Sequence, residues 1–316
     1  MGILGVVFGA GIGILASLDL TSGQSAGLAR SALSAAANAA MRAGAPARLV
    51  VGDDLRSLYV VAPRTLGTWH FERDDGAGGR GLLAANFGAL PIDDGHLGRA
   101  LSFRDARDDA YVELSLGTGA GFDPSEGFAL HLALRLEGAR PGRVFDLAAI
   151  AGLDVLQDGA LRGWMRPLRI DALGRRVAGA RRDVEASAQT LQIGRWTRVA
   201  LTYDRVELRL VVDDFPVGIV AEDAPVAPPE GRLALGGPPR PFAGSVDSVI
   251  VLQAEQGEPL MLPETLRWPA AGPRSVRFEA DGALDRSRHP QGLEVVLEGE
   301  GSARATVRVT AYGAVQ

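Results

Sequence analysis

The sequence contains no cysteine and no lysine, and only four histidines. Without cysteine there is no disulfide, no thiol nucleophile and no Cys-ligated zinc. Aromatic side chains are scarce, at 6%, beside 41 glycines and 18 prolines. That balance points to many turns and short strands, not to a helical bundle. Positive charge is also in deficit: the net charge is −5, spread along the chain with no basic stretch. Nucleic acid is therefore excluded as a partner. The 47% of hydrophobic residues in 316 positions are enough to fill the cores of two domains.

Catalytic patterns are missing too. His70, His96, His131 and His289 show neither HxxxH nor HExxH spacing, so no transition-metal site is expected. No GxSxG elbow is present, and no strand carries paired glutamates of the ExDxxE kind. Glu113 and Glu207 stand alone on alternating strands and read as solvent-facing, whereas a glycosidase sets two carboxylates across the scissile bond. The chain is expected to be non-enzymatic, with no catalytic residue.

What the sequence does contain begins at Ile3. The run ILGVVFGAGIGILASL, Ile3–Leu18, has no charge and stops at Asp19. As a helix it would span about 24 Å at about 1.5 Å per residue, and Met1, Gly2 and Leu20 bring it close to a bilayer core of about 30 Å. It is read as a membrane or assembly helix carried by Ile3, Gly5, Val7, Phe8, Gly9, Gly13, Leu15 and Leu18. Gly5, Gly9 and Gly13 make two GxxxG steps that would let helix backbones approach closely. A buried core helix is the alternative. A secretory signal fits less well, because a charged leader and a small-residue cleavage site are both missing.

An Ala-rich segment follows. Leu28, Ala32, Leu33, Ala36, Ala40 and Met41 fall on one side of a helix that Gly44 and Pro46 would stop. Arg48–Val51 and Ser57–Ala62 read as strands around a Gly52–Asp54 turn. Near the other end, VRFEADG (276–282), LEVVLEG (293–299) and ATVRVTAYGAV (305–315) are three more strands, too few to stand alone. They are expected to complete the sheet begun at residues 48–62.

Ala39–Arg42, Gly44, Pro46 and Leu49–Val51, with Phe278, Asp281 and Gly282 and the strand Thr306–Gly313, carry a resemblance. Over about residues 1–68 and 260–316 the chain resembles the minor pseudopilins of type II secretion and the type IV pilus, the H class in particular. The resemblance implies assembly through the N-terminal helix with other pilin-like subunits or with itself. It also implies a single-pass membrane protein of the bacterial inner membrane and periplasm, or of a cell-surface filament. A cut after Gly2 would place Val7 fifth, where that family has Glu, so prepilin-peptidase processing is not implied.

The middle of the chain reads differently. Phe128, Leu130, Leu132, Leu134 and Leu136 alternate with His131 and Arg135, and Val206, Leu208, Leu210 and Val212 repeat the period. Trp196 and Tyr203, seven apart on one strand, would face opposite sides, and Asp213–Asp214 would be a hairpin tip. GTWHFE (67–72), GRALSF (98–103), EGFALHLALR (126–135), GRWTRVALTYD (194–204), GRLALGG (231–237) and PFAGSVDSVIV (241–251) resemble the laminin-G-like, concanavalin A-like lectin superfamily. That implies a jelly-roll β-sandwich used for adhesion, with a glycan or a surface protein as partner. It also implies a calcium site where the first and last strands meet, for which Asp74, Asp75 and Asp247 are the candidates by position. Trp164, amid Arg162, Arg166 and Arg169, reads first as a partial core residue, and otherwise as the best candidate for an exposed platform, with Arg166 beside it for ligand binding; residues 175–185 read as a solvated loop. No other cofactor is expected.

The expected class is mainly β: a jelly-roll sandwich inserted in a pilin-like α+β domain with a long N-terminal helix. The segments are 1–66, 67–256 and 257–316. Such a chain would be a membrane-anchored or filament-assembled envelope subunit displaying a recognition domain. The alternative is a membrane-tethered carbohydrate-binding or carbohydrate-active protein.

Overall fold

The computed structural model describes residues 24–72, 84–116, 121–299 and 304–316. Ile3, Gly5, Val7, Phe8, Gly9, Gly13, Leu15 and Leu18, and likewise Asp74 and Asp75, lie outside the described residues. Among the described residues no helix is long and apolar enough to cross a membrane. The protein is mainly β, and it divides into two compact units: Met1–Pro63 with Glu255–Gln316, and Arg64–Ala254.

Helix α1 covers residues 24–43, and β1 (Ala47–Val51) and β2 (Ser57–Trp69) follow it. Four short strands come next: β3 (Ala84–Phe87), β4 (Leu90–Ile92), β5 (Ala100–Ser102) and β6 (Tyr111–Leu114). Then come β7 (Phe128–Leu136), β8 (Gly142–Leu147), β9 (Ala151–Val155), β10 (Leu161–Met165), β11 (Leu168–Ile170), β12 (Arg176–Ala178) and β13 (Arg182–Glu185). Strands β14 (Trp196–Tyr203), β15 (Glu207–Val212), β16 (Phe215–Ala221), β17 (Leu233–Gly236) and β18 (Gly244–Gln256) continue the chain. It ends with β19 (Leu260–Met261), β20 (Leu266–Arg267), β21 (Ser275–Phe278), β22 (Leu293–Gly299) and β23 (Arg304–Val309).

In the first unit, β1 pairs antiparallel with β2 on one side and β21 on the other, so Leu49 lies opposite Val60 and Val276. The turn into β2 is held by Asp54, whose carboxylate accepts the Ser57 hydroxyl and the Ser57 and Arg56 N–H groups. Those bonds hold its pKa down at about 2. Helix α1 contributes Ala29, Ala32, Leu33, Ala36 and Ala40 to the same core as Leu49, Leu58, Trp268 and Phe278. Alanine at the contact lets a helix backbone lie close to its neighbours.

Two expectations change here. Met41 is 51% exposed rather than buried, because it lies over the turn at Gly282 instead of under the helix. Of the three C-terminal strands only β21 joins the β1–β2 sheet. After Phe278 the Asp281–Gly282 turn folds the chain back, with Leu284 bridging Phe278 and the Asp285 N–H donating to the Arg277 carbonyl at 3.1 Å. That return occupies the free edge of β21. Strands β22 and β23 therefore pair with each other and with β20 in a separate three-stranded sheet, and send Val295, Leu297, Val307 and Val309 into the core.

The second unit is a β-sandwich. One sheet runs β16–β15–β14–β7–β18–β2, with β5 also on β18 and β4 on β5; the other runs β13–β10–β9–β8–β17–β6–β3. Period-2 alternation turns Leu130, Leu132 and Leu134 of β7 and Val199, Leu201 and Tyr203 of β14 inward, onto Phe145, Leu153, Leu161 and Met165 of the second sheet. Burial of each such side chain contributes about 1.5–3 kcal/mol. Contact between the layers is tight at Gly163, where a Cβ would stand 2.3 Å from Leu201 Cδ1. Trp196 faces outward and Tyr203 inward. Asp213 and Asp214 form the β15–β16 hairpin tip with φ of 46° and 71°, the left-handed pair that a two-residue hairpin needs. Residues 175–185 are not one loop: they carry β12 and β13, the latter an edge of the second sheet.

Candidate functional site

The outward face of the first sheet holds a cleft of about 390 Å³, lined by residues of β7, β14, β15 and β18 together with His70, His96, Leu97 and Asp214. Strand register explains its floor. Val211, Ala200, His131 and Ile250 lie opposite one another in a row across four strands, and Ala133 lies opposite Arg198 in the next row. The alanines leave the depression that larger side chains would fill. Arg198 and Asp214 close one side through an ion pair of 2.5 Å.

Two polar groups at this floor lack protein partners. His131 Nε2 is shielded from solvent and makes no hydrogen bond. Burial disfavours the imidazolium and holds the His131 pKa below its ordinary 6.5, so the ring is neutral at pH 7. Ser248 sits where the β18 register shifts between Asp247 and Ile250, with φ of 53°, and its Oγ is buried without a partner. A left-handed serine in a strand is strained, and such strain concentrates at binding sites.

On the same sheet, outside the residues that line the cleft, a cluster is fixed by charge. The Arg135 guanidinium lies 4.9 Å from the Trp196 ring centre and bonds Asp94 at 2.5 Å and Glu137 at 2.8 Å. Burial alone would raise the Glu137 pKa. Hydrogen bonds from Ser245 and Arg135 outweigh it and hold the carboxyl below its usual range. The loop bearing His96 and Leu97 is tied down by Asp247, which accepts the Leu97 N–H at 2.9 Å and the Ser248 N–H at 2.6 Å. Burial raises the Asp247 pKa despite these two bonds.

Of the residues singled out in the sequence, those that are described, Trp164, Arg166 and Asp247, do not line the cleft. Asp247, a candidate calcium ligand by position or else a turn-to-strand cap, is fully buried and spends its carboxylate on backbone N–H groups. Among the described residues no group of three or more His, Cys, Asp or Glu could hold a metal ion. Trp164 is no exposed platform: it is 4% exposed, because Gly152 makes room beneath the ring and Arg143 and Arg181 stack on it at 5.1 and 4.6 Å. Arg166 is exposed, and neither Trp164 nor Arg166 lines the cleft. The cleft residues were hidden for a reason. His131, Ala133, Arg198 and Ala200 are the outward members of alternating strands, and alternation separates two faces without marking a cleft on either. Ser248 has no signal at all, because a bulge re-aims it.

No protein-family model matches the chain, and no curated protein matches it. Solved structures with a similar chain path exist at low identity. Domain 4 of AbnA, a GH43 extracellular arabinanase from Geobacillus stearothermophilus solved with arabinotriose, is 15% identical with a TM-score of 0.45; the match covers 61% of this chain and 93% of that one. The binding domain of Paraclostridial Mosquitocidal Protein 1 is 12% identical, TM-score 0.46, covering 78% and 70%. The binding domain of botulinum neurotoxin DC is 7% identical, TM-score 0.45, covering 60% of this chain and only 48% of that one. Two of the three are described as binding domains, and at such identities nothing carries over to the side chains of this chain.

Proposed function

We propose that the protein is a non-enzymatic recognition module whose outer-face cleft binds a saccharide. The observation that carries this reading is the cleft itself: an apolar floor of Ala133, Ala200, Val211 and Ile250 beside the unpartnered His131 and Ser248. A sugar ring offers an apolar C–H face and a rim of hydroxyls, so it matches a small apolar floor with neutral hydrogen-bonding groups at its edge. A neutral imidazole and a serine hydroxyl each gain a partner that they lack in the free protein. Binding without turnover is the reading because Asp214 is the one carboxylate among the described lining residues, and Arg198 holds it. In the same reading the apolar run Ile3–Leu18 tethers the module in the cell envelope, to the membrane or to like helices.

A glycan array probed with the full-length chain tests the proposal. Retention of a defined set of glycans, lost in Ala200→Trp and weakened about tenfold in His131→Ala, supports it. No retained glycan, or retention unchanged in Ala200→Trp, overturns it. Release of shortened products from a retained glycan defeats the non-enzymatic half. Deletion of residues 1–20 is expected to move the protein out of the membrane fraction, and unchanged fractionation removes the tether.

A further inference from the structure

The second sheet carries its own outer-face cleft, about 290 Å³, in which the guanidinium groups of Arg143, Arg181 and Arg240 converge. Two of them are held rigidly. Asp154 accepts Arg143 Nε and, at 3.1 Å, Arg181 Nη2. Asp146 takes Arg143 Nη1 at 2.5 Å, Asp183 takes Arg181 Nε, and both guanidiniums stack on Trp164. The third, Arg240, is tied once, by Nε to the Pro141 carbonyl at 3.1 Å. Its own carbonyl accepts the Arg143 N–H at 2.8 Å, so the two side chains start from neighbouring points.

These bonds leave donors unused. Arg143 Nη2, Arg181 Nη1 and both terminal nitrogens of Arg240 have no protein partner among the described residues. Asp154 is the single carboxylate lining the cleft, but Asp146 and Asp183 also pair with these arginines, so what the cleft offers is spare N–H donors and not a surplus of charge. Guanidinium forks that are already oriented lose little freedom when they bind, and their spare N–H groups match the oxygens of a sulfate, phosphate or carboxylate. A purely structural role needs the Asp154-linked pair but gives no use to Arg240, which is exposed and leaves both terminal nitrogens uncommitted.

We propose that this cleft is an oxyanion-binding site, distinct from the saccharide cleft of the first sheet and independent of it. Its ligand is an anionic oxygen group, either tetrahedral like sulfate or planar like a sugar carboxylate.

Calorimetric titration of the full-length chain with sodium sulfate, with glucuronate and with glucose, at low ionic strength, tests it. Saturable binding of sulfate or glucuronate, weakened about tenfold or more in Arg240→Gln and in Arg181→Gln, is expected. The Ala200→Trp variant is expected to bind the anion as the parent does, which separates this site from the other. Sulfate tighter than glucuronate assigns the cleft to a tetrahedral group, the reverse order to a carboxylate, and either order supports the site. Thermal unfolding of Arg240→Gln should match the parent, since the side chain makes one hydrogen bond. No saturable anion binding, or a loss below about threefold in a folded Arg240→Gln, overturns the proposal.

Discussion

The two outer faces of the sandwich each place an arginine on a tryptophan, yet they differ in how many guanidinium donors they leave uncommitted. On the first sheet, Arg135 covers Trp196 and all three of its guanidinium nitrogens bond Asp94 or Glu137, while the cleft on that face is floored by alanine. On the second, Arg143 and Arg181 cover Trp164 with donors left over, beside an uncommitted Arg240. The same cation–π pairing thus serves once as a fully committed cluster and once as a rigid mount for spare donors. Each of the three guanidiniums meets two carboxylates; what differs is that Arg135 commits all three nitrogens, whereas Arg143 and Arg181 each leave one uncommitted, and that follows from register and loops.

The largest test of this contrast is Gly152→Ala. The new Cβ would lie 2.6 Å from both the Phe145 carbonyl oxygen and Trp164 Cζ2, so the ring and its two arginines must move. A loss of about 2–3 kcal/mol is expected from denaturant unfolding, with a shift in tryptophan fluorescence; parent-like stability would mean that Trp164 is not seated as described. On the other face, Asp247→Ala orphans the Leu97 and Ser248 N–H groups and should cost about 1–2 kcal/mol. It should also free the His96 loop to proteolysis, and an uncut loop would count against the latch.

A smaller effect comes from pH. Burial lowers the His131 pKa below 6.5, so the folded state takes up its proton later than the unfolded chain. The resulting stability is present above pH 6.5 and is lost as pH falls below it. Between pH 6.5 and 5.5 the parent should lose up to about 1.4 kcal/mol that His131→Phe keeps. Identical pH profiles for the two proteins would show that the imidazole is not shielded. Asp247 works in the opposite direction: its raised pKa favours the folded state at low pH, and that contribution fades as pH rises through the folded value. Least of all should Arg198→Ala matter to stability. Its pair with Asp214 is exposed on both sides, and a change within about 0.5 kcal/mol is expected from thermal unfolding. A larger loss would mean that the first face depends on charge as the second does.

The alternation in Phe128–Leu136 was enough to place five inward residues and to put Trp196 and Tyr203 on opposite sides, because a strand's period is two whatever its neighbours are. The Asp213–Asp214 tip was equally legible, since few residues accept its backbone conformation. Trp164 is a core residue, the first of the two readings its sequence context allows, and the arginine-rich surroundings that suggest a platform supply the side chains that cover it. Strands β22 and β23 were assigned to a sheet whose edge the chain had already closed at Leu284.

Composition, turns and periodicity determined by themselves that this is a β-rich protein with an Ala-rich helix near its start and no cysteine chemistry. They act over a few residues and need no partner. Which strands become neighbours was decided only in three dimensions, and with it the row Val211–Ala200–His131–Ile250, the left-handed Ser248 and the meeting of Arg143, Arg181 and Arg240. Each joins residues far apart in the chain, and long-range packing, not local preference, chooses that pairing.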